Sequence, residues 1–228
     1  MRDFGGAQAR GHGSGGAAPS PLAPGGCAVL AMRGMKETAR RMWTIPNILT
    51  VARLVAAPCV ALAFTAFERP LADALACALF VAAALTDWLD GKLARAWGQV
   101  SAVGRLLDPI ADKAIVLIAL ATLTGLHGLH WLLLAPVALI ILRETAVAGL
   151  REYLAGAAAL PVTALAKWKT TAQLAAISVL LGAGAAGAAA DNLHALGLAL
   201  LWVAAALTAI TGWDYFQRGL AFVRRGEG

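Results

Sequence analysis

The chain has 228 residues, 60% of them hydrophobic and only 14% charged, with a mean hydropathy of +0.71. The charged fraction is far below the roughly 25% of soluble domains, which excludes an ordinary water-soluble fold and predicts an all-α, polytopic membrane protein. The formal charge of +6 does not indicate nucleic acid, because the basic residues flank apolar segments instead of gathering on one module; membrane lipid is the partner that this placement implies.

Residues 1–32 are rich in Gly, Ala and Pro and contain no apolar core long enough for a signal peptide, so a disordered tail is expected. Met32, Met35 and Met42 are candidate translation starts beyond it. Residues 33–45 carry Lys36, Arg40, Arg41 and Trp43, a mixture suited to an amphipathic segment lying in the headgroup layer. Apolar stretches near 48–67, 71–89, 110–133, 131–150, 171–190 and 193–213 then approach the roughly 20 residues needed to cross a bilayer. The third and fourth are parted only by Gly125, His127, Gly128 and His130.

Six transmembrane helices with both termini cytoplasmic make 67–71, 125–130 and 184–193 the outer connections. Of the 19 Lys and Arg residues, only Arg69 falls in one of them, as the positive-inside rule requires. The membrane domain is thus expected over 46–217, followed by a basic tail at 218–228. Cys27, Cys59 and Cys77 lack metal-type spacing and read as packing residues.

Four acids interrupt this apolar pattern: Asp87 and Asp90 at the end of the second stretch, Asp108 and Asp112 ahead of or within the third. A carboxylate at membrane depth costs several kcal/mol unless it is compensated, so such acids mark function by default. Residues three apart on a helix share a face, about 4.5 Å apart along the axis, and Asp108 and Asp112 are similarly aligned. Gly98, Gln99, Ser101 and Gly104 turn the chain between the pairs, so the second and third spans are expected as antiparallel neighbours with their acids facing one another.

Four carboxylates would balance two divalent cations. With oxygen ligands only, Mg²⁺, Mn²⁺ or Ca²⁺ is favoured over zinc or copper. Two such ions about 4 Å apart recur in displacement at phosphorus. Gly91 leaves room for a diphosphate, Ala94 keeps the next turn low, and Arg95 adds a planar cation. Taken singly, each acid could be a helix cap, Asp108 before Pro109 above all. A divalent-cation or proton-coupled transporter would use the same acids.

The pattern Asp87-x-x-Asp90-Gly91-x-x-Ala94-Arg95, eight residues, Gly104-x-x-x-Asp108-x-x-x-Asp112 resembles the full signature of the CDP-alcohol phosphatidyltransferases. The resemblance runs from Ile45 to about Leu181 and resumes over 207–216. Within the family, Ile45-Pro46-Asn47…Arg53, Arg143-Glu144…Arg151-Glu152 and Lys167-Trp168-Lys169-Thr170…Gln173 are similar to members whose acceptor is glycerol 3-phosphate.

The resemblance implies transfer of a phosphatidyl group from CDP-diacylglycerol to sn-glycerol 3-phosphate, with release of CMP. It makes Asp87, Asp90 and Asp108 ligands of two Mg²⁺ or Mn²⁺ ions, and Asp112 the general base, also beside the metals. Asn47, Asp90, Gly91, Ala94, Arg95 and Gly104 fall at the CDP site; Arg143, Arg151, Lys167 and Lys169 fall at the acceptor phosphate. It further implies a homodimer in the bacterial inner membrane, its active site facing the cytoplasm.

Other readings of these residues stay open at this point. Asn47 could cap the first helix, and the four cations could anchor helix ends. Glu144 and Glu152 could absorb Arg151, and Lys113 could pair with Asp112. Trp202, Trp213 and Tyr215 read as markers of interface depth. His12, His127, His130 and His194 receive no role. Sibling enzymes using inositol phosphate or phosphatidylglycerol share the aspartate signature.

Overall fold

The computed structural model describes residues 45–97, 102–153 and 164–226. The expected tail at 1–32 and nearly all of the interfacial segment at 33–45 lie outside the described residues. Among the described residues six α-helices follow in order: α1 (Ile45–Ala66), α2 (Leu71–Trp97), α3 (Ala102–His127), α4 (Trp131–Tyr153), α5 (Ala164–Ala183) and α6 (Ala190–Gly226). A 3₁₀ turn at Gly187–Ala189 precedes α6, and the described residues contain no strand.

The helix ends differ from the sequence expectation in an informative way. α2 continues to Trp97 and α3 already begins at Ala102, so all four aspartates lie within helices. Asp108 is therefore not an N-cap, and Pro109 sits inside α3, where its missing N–H removes one rung of the ladder. Asn47 likewise falls inside the first described turn of α1, buried, and not at a cap.

Three described stretches are long and apolar enough to cross a membrane: Asn47–Ala66, Trp131–Glu152 and Gly187–Ala221. α2 and α3 carry the acids and several cations at one end, and α5 opens with Lys167, Lys169, Thr170, Thr171 and Gln173. All six helices contribute to one apolar core, through Val60, Phe80, Leu120, Ile140, Ile177 and Leu201 among others. Large apolar side chains also point outward, including Val55, Leu85, Leu142, Ile210 and Trp213. Helices that are apolar on both the inward and the outward face suit a lipid surround.

Two groups of three helices can be distinguished. α1 packs against both α2 and α3, which touch each other little, while α6 packs against both α4 and α5. The groups meet chiefly through α2 and α5. This corrects the expectation that the second and third helices are close neighbours: α1 stands between them. Hydrophobic burial draws each helix to the broadest matching face, and sequence adjacency does not decide it.

At one end of the bundle, Arg69 pairs with Asp73 at 2.6 Å, leaving Asp73 only 1% exposed. Gly184, from the connection after α5, closes over this pair: a Cβ there would lie 2.4 Å from Asp73 Oδ1. Gly197 serves α6 in the same manner, since a Cβ would lie 2.6 Å from Cγ of the fully buried Leu180 on α5. Small residues permit such close helix approach. Gly197→Val is expected to cost about 1–3 kcal/mol through overpacking, read as a lowered Tm in detergent. Gly125→Ala, which meets nothing within 4 Å, is the control and should leave Tm unchanged or slightly higher.

Candidate active site

α1 builds the centre of the site. Asn47, Thr50 and Arg53 recur at helical spacing and continue as Ala57, Val60 and Ala63, all buried. One stripe thus passes from polar to apolar along a single helix face. Because α1 lies between α2 and α3, the acids of those helices meet its polar end. Arg53 Nη1 donates to Asp87 Oδ1 at 2.6 Å and also to Asp112 Oδ1. Thr50 Oγ1 donates to Asp108 Oδ1 at 2.6 Å.

The Arg53 side chain is 1% exposed, whereas those of Asp87 and Asp112 are 48% and 47% exposed. A guanidinium withdrawn so far from solvent is tolerable only with anionic partners in good geometry. The partner of Asp112 is therefore Arg53 and not its neighbour Lys113. In the sequence Arg53 stood within the family resemblance, after Ile45-Pro46-Asn47, without a role of its own. Its spacing of three from Thr50, and of six from Asn47, was the signal that could have joined it to the acids.

Asp90, Gly91, Ala94 and Arg95 lie on the last turns of α2, with their side chains outside the described residues. Gly104 is buried one turn before Asp108 on α3. Among the described residues, no three His, Cys, Asp or Glu side chains are arranged to hold a metal ion. The expected four-acid cluster is described as one pair, Asp87 and Asp112, and a separate Asp108 held by Thr50. The pair nonetheless fits a hard divalent ion in chemistry: two carboxylates from different helices converge on one cationic nitrogen, and all of their donors are oxygen.

Asp87 and Asp112 line a cavity of about 660 Å³, whose remaining walls include Lys113, Arg143, Glu144, Arg151, Lys169 and Tyr215. Lys169 Nζ donates to Glu144 Oε1, and Arg143 Nη1 donates to the same oxygen at 3.1 Å. Glu144 is thus engaged by Lys169 and Arg143, not by Arg151. Arg151 Nη2 instead donates to the Tyr215 hydroxyl at 2.9 Å. Three of the four cations expected at an acceptor phosphate therefore share one cavity; the side chain of Lys167 lies outside the described residues.

Tyr215 departs from the sequence expectation. It is 3% exposed, with the guanidinium carbons of Arg143 and Arg151 5.8 and 5.1 Å from its ring centre. Trp202 and Trp213 are exposed, in keeping with an interfacial position. Tyr215 could have been separated from Trp213 by helical phase, since it lies one turn from Thr211 on the side facing α4. The cavity as a whole sets carboxylates against a cluster of three cations and one acid. Such an arrangement can hold two anionic groups, one bridged by a cation and one bound directly.

Residues 43–210 match the family profile described as CDP-alcohol phosphatidyltransferase. The chain is 50% identical over 216 residues to a CDP-diacylglycerol–glycerol-3-phosphate 3-phosphatidyltransferase of Cereibacter sphaeroides, covering 80% of this chain and 98% of that relative. A protein of the same name from Rickettsia bellii is 42% identical over 174 residues, covering 76% of this chain and 93% of the relative. A cardiolipin synthase (CMP-forming) of Oryza sativa subsp. japonica is 37% identical over 180 residues, covering 73% of this chain and 54% of the relative. With most of its length matched and its acids in the family's spacing, the chain belongs to the CDP-alcohol phosphatidyltransferase family.

Proposed function

We propose that this protein transfers the phosphatidyl group of CDP-diacylglycerol to a hydroxyl of sn-glycerol 3-phosphate, giving phosphatidylglycerophosphate and CMP. The observation that carries this reading is the cavity that Asp87 and Asp112 share with Arg143, Arg151 and Lys169. The carboxylates suit a cation-bridged diphosphate, and the cations suit a phosphate monoester. The names of the Cereibacter and Rickettsia relatives support the same pair of substrates.

Asp87, Asp90, Asp108 and Asp112 would hold two Mg²⁺ or Mn²⁺ ions, which when bound neutralise the diphosphate and ease departure of CMP. Asp112 accepts the proton of the attacking hydroxyl. The acceptor oxygen then bonds to the phosphatidyl phosphorus as the bond from that phosphorus to the CMP oxygen breaks in line. Asn47, Gly91, Ala94, Arg95 and Gly104 shape the nucleotide subsite. Arg143, Arg151, Lys167 and Lys169 bind the acceptor phosphate, setting its hydroxyl near the donor.

The six helices are read as six spans in the bacterial inner membrane, with both ends and the cavity on the cytoplasmic side, as a homodimer. The lipid donor enters from the bilayer and the acceptor from the cytosol. A second reading makes phosphatidylglycerol the acceptor and is favoured by the likeness to the rice cardiolipin synthase. The three clustered cations weigh toward the phosphate monoester.

With purified protein, CDP-diacylglycerol and Mg²⁺, glycerol 3-phosphate is expected to release CMP and EDTA to abolish release. Better turnover with inositol phosphate or phosphatidylglycerol would reassign the acceptor, and ion flux across sealed vesicles without CMP would indicate a transporter. Asp112→Asn should lose about 10²–10⁴-fold in turnover while retaining donor binding in a nucleotide-competition assay. Lys169→Ala should raise the KM for glycerol 3-phosphate by about tenfold, the loss of one charged hydrogen bond, with a smaller change in kcat. Arg53→Ala should lower stability toward the lower end of the ~3–5 kcal/mol lost on breaking a buried pair, because its acids remain half exposed; thermal unfolding in EDTA reads this.

A further inference from the structure

Arg143 reaches the cavity from α4, yet most of what fixes it belongs to α6. A Cβ on Gly212 would lie 2.7 Å from Arg143 Cγ and 3.2 Å from Nε. The aliphatic stem of Arg143 therefore rests on a strip of helix surface that only glycine leaves bare. One residue earlier, Thr211 Oγ1 accepts from Arg143 Nη2 at 3.2 Å. The same hydroxyl donates to Leu207 O at 2.8 Å within its own helix, which orients its lone pairs toward the guanidinium. One turn later, the buried Tyr215 ring lies beneath both Arg143 and Arg151.

The Arg143 side chain is only 10% exposed, and its Nε is buried with no hydrogen-bond partner among the described residues. A free arginine side chain samples many rotamers, and an acceptor would have to remove much of that freedom on binding. A guanidinium already seated in a groove and hydrogen-bonded at Nη1 and Nη2 has lost that freedom beforehand.

We propose that Thr211 and Gly212 form a cradle on α6, backed by Tyr215, that presets Arg143 as a receptor for the phosphate monoester of the acceptor. Thr211 and Gly212 are positioning residues: they act through Arg143 and do not touch the reacting atoms. This rests on the reading of the acceptor as a phosphorylated alcohol.

The test measures CMP release at varied glycerol 3-phosphate and varied CDP-diacylglycerol, together with competitive inhibition by inorganic phosphate. Thr211→Val removes one hydrogen bond to a charged group and should raise the acceptor's KM by about tenfold. Gly212→Ala displaces the guanidinium itself and should raise it further, toward 10²-fold. In both, the inhibition constant of inorganic phosphate should rise in parallel, while kcat and the donor's KM change less than about threefold. Thr211→Ser keeps the oxygen and should restore the wild-type KM. If Gly212→Ala fails to fold, shown by its Tm, the Thr211 pair decides alone.

An acceptor KM and a phosphate inhibition constant unchanged in Thr211→Val, in an enzyme that uses glycerol 3-phosphate normally, would overturn the cradle and leave the proposed function standing. Equal losses in kcat and in both KM values would reduce these residues to general structural support. Wild-type protein that releases no CMP with glycerol 3-phosphate would overturn the function and the cradle together.

Discussion

A guanidinium buried among apolar helices and shared by two carboxylates is the interaction on which this architecture turns. Arg53 belongs to α1, Asp87 to α2 and Asp112 to α3, so one side chain fixes the mutual position of three helices. These acids help offset the desolvation cost of burying the cation. Thr50, one turn away, adds Asp108 to the same polar end of α1. Below Arg53 the stripe becomes Ala57 and Val60, and ordinary apolar packing takes over. The polar end of the bundle is thereby specified by directional bonds and the remainder by fit.

This arrangement also brings acids and cations from different helices into one cavity. α1, α2 and α3 gather the carboxylates; α4, α5 and α6 gather Arg143, Arg151 and Lys169, with Glu144 tempering their repulsion. The cavity lies between the two triplets, whose main contact is that of α2 with α5. Catalytic specificity in such a pocket depends on geometry across the seam, which neither triplet determines alone.

Much of this could be read from the residues. Hydropathy located all six helices, and the spacing of Asp87, Asp90, Asp108 and Asp112 brought the family resemblance into view, which the matched profile over 43–210 then established. The cations at 143, 151 and 169 were expected to act together, and the structure brings them to one cavity. Other features were hidden because they depend on contacts distant in sequence. The intervention of α1 between α2 and α3 leaves no trace in periodicity. The pairing of Asp108 with Thr50 spans 58 positions. Tyr215 resembled its neighbour Trp213 in composition, and only the rotation of α6 separates a buried ring from an exposed one. Helix ends at 97 and 102 outran the apolar stretches because hydropathy marks the lipid-compatible part of a helix and not the full length of its hydrogen-bonded ladder.

The length of α6 has one more consequence. Its 37 residues extend about 55 Å at 1.5 Å per residue, against roughly 30 Å of hydrocarbon. Such a helix, set across a bilayer, would outreach the oil even when strongly tilted, and its last turns carry Arg218, Arg224 and Arg225. The helix bearing Thr211, Gly212 and Tyr215 is therefore a long mast that passes beside the pocket and ends in arginines. Anionic headgroups drawn to that charge would lean on the same rod that lines the cavity through Tyr215.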